Sequence, residues 1–351
     1  MHRKTYVEVN LTNIESNVKT LIKKYNDYEY YFGVVKGDCY GHYGIETVET
    51  IIRGGCNYLA VATLDEALEI RKSIKDIPIL CLGIIPTEYI EECIQNNITI
   101  TISNLEYLNL IINYNKLKVH IKVNTGMNRL GVNNKTDFNC MYKMIKNSNL
   151  IIEGIYTHIY NSHDKKTTLN QIRRFEEITK DINLNEIPIV HVSASDATIT
   201  YPKMSFVNGC RLGIAMYGLS ENKQKDLFST FSLYSEVIQI NEIENETLGY
   251  NGAYKAREKE KIAVIPIGYA DGIIRKNTGR NVYINDKTYK IVGNICMDML
   301  FVKVDDSVKI GDKVVLIKDI QHIEEIAKYL DTISYEVLCS IGKRVPRVYL
   351  K

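Results

Sequence analysis

Strand-like and helix-like segments alternate through the first two-thirds of this chain, and that rhythm limits its fold more than any other feature. Tyr6-Val7-Glu8-Val9 alternates like a strand. Thr12-Asn13-Ile14-Glu15 reads as a capping box, with Ile14, Val18, Leu21 and Ile22 following at helical spacing. The apolar run Tyr30 to Val35 is a buried strand, and a helix follows over residues 44–53. Tyr58 to Ala62 is a strand, and Thr63-Leu64-Asp65-Glu66 is a capping box opening the next helix. Ile77 to Leu82, Ile98 to Ile102, Val119 to Val123, Ile151 to Thr157 and Pro188 to Val192 continue the strands, with a third box at Ser103-Asn104-Leu105-Glu106. Such repetition demands a mostly parallel sheet with helices outside. About eight units precede residue 230, so a closed (β/α)8 barrel of the TIM type is favoured over an open sheet. No Gly-x-Gly-x-x-Gly follows the first strand, which argues against a dinucleotide-binding sheet.

After residue 230 the texture changes to short strand-like runs separated by turns such as Asn285-Asp286 and Gly311-Asp312. Only Ile320 to Leu330 reads as helical there. The expectation is an α/β barrel over residues 1–230 and a C-terminal, mostly-β domain over 231–351. With 44 basic and 42 acidic residues, net charge is +2, which gives no electrostatic reason for a nucleic-acid or membrane partner. The eight cysteines are scattered without a Cys-x-x-Cys pair, which points to reduced thiols in the cytoplasm and to no metal centre. No run is long enough to span a membrane, and Met1 to Tyr6 lacks the apolar core of a signal peptide.

In a barrel, functional side chains gather at the C-terminal ends of the strands. Read in order, those ends carry Lys36, Lys122 with Arg129, His158, Ser195, and Arg211 with Gly213. Lys36 ends a buried run, where loss of water disfavours ammonium and frees the amine as nucleophile or base. The set suits a phosphate-bearing aromatic aldehyde: Lys36 would bond to it, while Tyr40, Ser195 and the Gly213 backbone would hold the phosphate. Each residue has a plainer reading. Lys36 and Lys122 could be ordinary strand-end lysines, His158 a satisfied core histidine, and Arg211 the partner of a carboxylate.

Several stretches together resemble the signature blocks of alanine racemases, enzymes dependent on pyridoxal 5′-phosphate (PLP). These are Val34-Val35-Lys36 with Tyr40-Gly41-His42, residues 122–131 (KVNTGMNRLG), residues 211–218 (RLGIAMYG), residues 266–272 (PIGYADG), Cys296-Met297-Asp298, Tyr335-Glu336-Val337 and Arg344-Val345-Pro346-Arg347. The resemblance runs in order from about residue 3 to the end. It implies that Lys36 carries PLP and is the base on the D face, and that Tyr254 from a partner subunit is the base on the L face. Tyr40, Ser195, Gly213, Ile214 and Tyr335 would hold the phosphate. His158 would lie by the ring, and Arg211 would face the pyridine nitrogen with His191 behind it. Arg129 and the partner's Met297 backbone would hold the substrate carboxylate, with a carbamylated Lys122 orienting Arg129. Tyr269 and Arg275 would line the access channel. It further implies a homodimer with shared sites, a small amino-acid substrate, and D-alanine made for cell-wall peptidoglycan.

The chain departs from the family's usual pattern at Gly37-Asp38-Cys39, Tyr43, Asn124, Ala194 and Asn294, none of which removes a catalytic group. Rival readings are a serine racemase of the vancomycin-resistance type, which has asparagine at the position of Tyr335 and a membrane domain, and a PLP-dependent decarboxylase, which tends to place glutamate where this chain has Arg211. A third is a non-catalytic PLP-binding barrel lacking the second domain.

Overall fold

The computed structural model describes residues 2–220 and 224–351; Met1, and residues 221–223 within the expected barrel range, lie outside the described residues. Two compact units emerge. One comprises Glu15–Cys39 and Thr47–Leu227; the other comprises Met1–Ile14, Tyr40–Glu46 and Phe228–Lys351.

The first unit is a closed barrel of eight strands: Tyr30–Val34, Tyr58–Val61, Ile79–Cys81, Ile98–Ile102, Lys118–Lys122, Ile151–Tyr156, Ile189–Ala194 and Gly209–Leu212. Neighbouring strands are parallel, and Tyr31 opposite Cys210 closes the ring. Inside, the Phe32 ring stacks on Tyr58 at 4.3 Å and on His191 at 4.6 Å, and Tyr156 stacks on His191 at 4.7 Å. His120 fits beside them because Gly154 has no side chain; a Cβ there would lie 2.5 Å from the imidazole.

Tyr6–Asn10, expected to open the barrel series, belongs to the second unit. It pairs antiparallel with Phe231–Glu236 and parallel with Arg347–Leu350. The reason is visible in its burial: it alternates buried and half-buried residues, whereas most barrel strands are buried along their length. The nine-stranded sheet runs in the order Gln239–Ile243, Glu260–Ile265, Leu300–Val304, Lys287–Val292, Asn281–Ile284, Lys313–Ile317, Phe231–Glu236, Tyr6–Asn10, Arg347–Leu350.

Two caps differ from expectation. Helix Leu11–Lys24 is capped by Asn10, whose Oδ1 accepts from Asn13 N at 2.8 Å, so the Thr12 box is not the start. Helix Leu105–Ile111 is capped by Asn104 and not Ser103. In each case the asparagine immediately before the first helical residue supplies the capping acceptor. The Thr63–Glu66 box forms on both sides as read. A second helix of the β-rich unit, Ser334–Ser340, goes unread because its cap position, Ile333, offers no side-chain acceptor.

Candidate active site

Every barrel residue singled out above except His191, which lies within Ile189–Ala194, stands near the C-terminal end of a strand or in the loop beyond it. Lys36 comes two residues after Tyr30–Val34, and Lys122 ends its strand. His158 follows Ile151–Tyr156 by two residues, Ser195 follows Ile189–Ala194, and Arg211 and Gly213 flank the end of the last strand.

Beyond Lys36 the backbone turns left-handed. Gly37, Asp38, Cys39 and Tyr40 have φ of 61°, 51°, 55° and 53°, and Gly41 has 80°. The three non-glycine residues cost about 1–2 kcal/mol each in that conformation. The turn is held by Cys39 N donating to Val35 O at 2.9 Å and Gly37 N donating to Glu66 Oε1 at 2.6 Å. Gly41 is required, since a Cβ there would lie 2.3 Å from the Leu338 carbonyl. Half-buried Lys36 is thus fixed at the rim by a strained, well-bonded turn.

Arg211 is the most tethered group. Its Nη1 donates to His191 Nδ1 at 2.6 Å, and its Nη2 donates to the carbonyls of Thr157 (2.9 Å) and Val192 (3.1 Å) and reaches His158 Nδ1 at 3.3 Å. Burial, then the cations Arg211, Arg129, Lys122 and Lys36, pull the His158 pKa down to about 3, so its ring is neutral. Burial and the neighbouring Arg129, Arg211 and Lys36 lower Lys122 to about 8. Among the described residues no carboxylate lies within salt-bridge distance of Lys122, Arg129 or Arg211.

Arg129 rides a loop folded by Asn124. Asn124 Oδ1 accepts from Gly126 N at 3.1 Å and Asn128 N at 3.0 Å, and Asn124 N donates to Val132 O at 2.8 Å. The acceptor role falls to the amide oxygen, so an aspartate is not needed for it. Ser195 Oγ accepts from Gly213 N at 2.8 Å and Ala215 N at 3.4 Å, gathering hydroxyl and backbone donors around Ile214.

The β-rich unit holds the remaining residues. The rings of Tyr40 and Tyr335 lie 5.9 Å apart. Tyr254 Oη donates to Glu260 Oε2 at 2.5 Å, and Lys303 Nζ donates to Glu260 Oε1 at 2.8 Å. Burial, then Glu260, raises the Tyr254 pKa. Met297 and Tyr269 are exposed and lie on two segments bonded to each other: Tyr269 N and Ala270 N donate to the Cys296 and Met297 carbonyls, each at 3.0 Å. Arg275, in the short turn Arg275–Asn277, is exposed too.

Residues 9–221 match the alanine racemase N-terminal domain, and residues 230–349 match the alanine racemase C-terminal domain. The chain belongs to the alanine racemase family. It is 37% identical to the alanine racemase of Halalkalibacterium halodurans, with 100% of this chain and 96% of that protein covered. It is 36% identical to alanine racemase 1 of Bacillus subtilis, covering 100% and 94%. Among solved structures, alanine racemase from Bacillus anthracis with bound L-Ala-P matches with a TM-score of 0.93 at 32% identity, covering 100% of this chain and 96% of that one. The E. faecalis alanine racemase matches with a TM-score of 0.94 at 32% identity, covering 99% of each.

Alanine racemases are PLP-dependent enzymes, and the donor set in this barrel fits that cofactor. A phosphate needs hydroxyl, backbone N–H and cationic donors, and a ring aldehyde needs an amine; Ser195, Gly213, Ile214 and Lys36 supply them. The excess of cations over carboxylates at the rim fits a phosphate together with a substrate carboxylate.

Two site-supporting residues escape the sequence reading. His120 Nδ1 pairs with His191 Nε2 at 2.9 Å, and Glu153 Oε2 lies 3.4 Å from His120 Nε2 while accepting from Tyr58 Oη (2.5 Å) and Thr99 Oγ1 (2.7 Å). The available signal is alternation: Lys118, His120 and Lys122 share one face of their strand.

Proposed function

We propose that this chain interconverts L- and D-alanine with PLP as cofactor, in a homodimer whose sites are shared between subunits. One observation carries the reading: Lys36, Lys122, Arg129 and Arg211 all come from the C-terminal ends of barrel strands or the loops beyond them, a cationic cluster with an amine in it, and Arg211 Nη2 reaches His158 Nδ1 at 3.3 Å.

PLP, when bound, supplies the electron sink for charge developing at the substrate α-carbon. Lys36 Nζ would hold the cofactor and move a proton on the D face. Racemisation needs a second base opposite it, and Tyr254 Oη from the partner subunit takes that role on the L face. Ser195 Oγ, the N–H groups of Gly213 and Ile214, Tyr40 and Tyr335 would hold the phosphate, and His158, neutral, would lie by the ring. Arg211 would face the pyridine nitrogen. A guanidinium cannot accept a proton, and His191 holds it by a 2.6 Å hydrogen bond, so that nitrogen is offered a donor only. Arg129 and the Met297 backbone of the partner subunit would hold the substrate carboxylate. Lys122, its pKa lowered to about 8, has a neutral amine available to carbon dioxide; as a carbamate it would turn from a cation into an anion that orients Arg129. Tyr269 and Arg275 would line the access channel.

No helix among the described residues is long and apolar enough to cross a membrane. The enzyme is proposed to act in the cytoplasm, where the D-alanine formed would serve peptidoglycan synthesis. Purified protein supplied with PLP and L-alanine should accumulate D-alanine until the two are equal. No D-alanine from protein shown to be folded and cofactor-loaded contradicts the proposal.

A further inference from the structure

Within the β-rich unit a cleft of about 180 Å³ opens between the segment Gly272–Arg280 and the helices Ile320–Leu330 and Ser334–Ser340. Its walls are aliphatic: Ile273, Ile326, Leu330, Val337 and Ile341. Its inner wall holds Arg280, only 5% exposed. Arg280 Nε donates to Asn277 Oδ1 at 2.9 Å, and Nη1 donates to the carbonyls of Leu316 (2.8 Å) and Asn281 (3.4 Å). Nη2 has no hydrogen-bond partner among the described residues, and no carboxylate lies within salt-bridge distance of the guanidinium. Nη2 is not fully enclosed, and Arg280 lines the cleft. Leaving a buried cation without an anion is costly. Two carboxylates, Asp331 and Glu336, line the same cleft and are exposed at its rim. Nothing in the catalytic account uses Arg280 or these walls.

The arrangement is a buried cation, an apolar middle and an anionic rim. We infer that this cleft is a second binding site, for a free aliphatic amino acid. Its carboxylate would accept from Arg280 Nη2, its side chain would lie on the isoleucine and leucine walls, and its ammonium would face Glu336 and Asp331. The volume lies below the range of about 300 Å³ upward typical of sites for larger organic ligands, which suits a ligand of amino-acid size. An anion without an ammonium would meet the rim carboxylates uncompensated, and an amine without a carboxylate would leave Arg280 unpaired, so the zwitterion is selected over either.

The test uses the PLP-loaded enzyme without alanine, and the Arg280 and Leu330 variants separate this cleft from the substrate site. L-leucine, 4-methylpentanoate and isoamylamine are titrated separately by calorimetry. L-leucine is expected to bind saturably, and the two half-ligands more weakly. Arg280→Gln should weaken leucine binding roughly ten-fold or more, the loss of one hydrogen bond to a charged group. Glu336→Gln should weaken leucine but not 4-methylpentanoate. Because Arg280 also ties down Asn277 and Leu316, Leu330→Trp provides an independent check: it fills the cleft and should abolish leucine binding while alanine racemisation persists. Absence of saturable leucine binding to wild type at millimolar concentration, or binding unchanged in Arg280→Gln and Leu330→Trp, overturns the assignment. Neither result bears on Lys36, so this site and the proposed racemase can fail separately.

Discussion

Arg211 Nη1 donates to His191 Nδ1 at 2.6 Å, and that contact sets the proton positions along a line through the barrel. Arginine only donates, so His191 Nδ1 is an acceptor and its proton sits on Nε2. His191 Nε2 therefore donates to His120 Nδ1 at 2.9 Å, which leaves the His120 proton on Nε2, facing Glu153. Burial, then Arg211, holds His191 well below the usual imidazole range, and burial lowers His120.

These neutral histidines make the fold acid-sensitive earlier than carboxylates alone would. Burial also lowers His322 to about 4 and His158 to about 3. Below about pH 6.5 the unfolded chain takes protons that the folded chain refuses, so stability falls as pH falls from there. For a histidine whose folded pKa lies below 5, the loss at pH 5 is about 2 kcal/mol. The urea midpoint should decline steadily between pH 6.5 and 5; a flat midpoint over that range contradicts the neutral chain.

Lys122 titrates in the opposite part of the scale. Its pKa is lowered to about 8, so the cost of burying its ammonium is fully present below pH 8. That cost is relieved as pH rises from 8 towards the unfolded value, and amounts to on the order of 3 kcal/mol. Carbamylation removes the same cost at lower pH. Adding bicarbonate near pH 8 should raise both melting temperature and activity, and Lys122→Met should be insensitive to it. A wild-type enzyme indifferent to bicarbonate, with no added carbon dioxide in its intact mass at neutral pH, rules the carbamate out.

Tyr254 is raised by burial and by Glu260, and as the proposed base on the L face it must be deprotonated to act, so Glu260→Gln should move the rising, acid-side limb of the L-to-D rate profile to lower pH. The proposed sharing of sites between subunits gives a second readout. Lys36→Ala and Tyr254→Ala proteins, each inactive, should regain part of the activity when mixed, because some mixed dimers hold one intact site. No recovery under conditions where subunits demonstrably exchange argues against sharing.

Much of the barrel is legible in the sequence because its strands are short buried runs punctuated by caps, and strand ends in such a fold are where chemistry collects. Lys36, Lys122, His158, Ser195 and Arg211 emerge as candidates from that logic, and their proposed roles come from the family resemblance. Tyr6–Asn10 misleads because a strand's period says nothing of its sheet; only its half-solvated face distinguishes it. His120 and Glu153 stay hidden because a buried histidine among valines and isoleucines carries no local mark; its role exists only once Gly154 makes room and His191 faces it. Tyr254 and Met297 lie in strand-and-turn sequence with no chemical signature, and their roles come from the family resemblance.

Tyr335, its ring 5.9 Å from that of Tyr40, bears on substrate choice. If its hydroxyl engages the phosphate as proposed, a serine side chain would bring a second hydroxyl without a partner, at a cost of about 1–3 kcal/mol. Alanine should be preferred over serine roughly ten- to a hundred-fold in kcat/KM, and Tyr335→Asn should narrow the gap while weakening PLP retention. Equal constants for the two substrates in the wild type would shift the assignment to a serine racemase.

The central claim is that Lys36 carries the cofactor, and borohydride reduction of the PLP-loaded enzyme followed by peptide mapping tests it most directly. The account predicts a yellow protein that bleaches on reduction, with the pyridoxyl label on the peptide containing Lys36 and no label in Lys36→Ala. Label on Lys122, or no stable label at all, contradicts it.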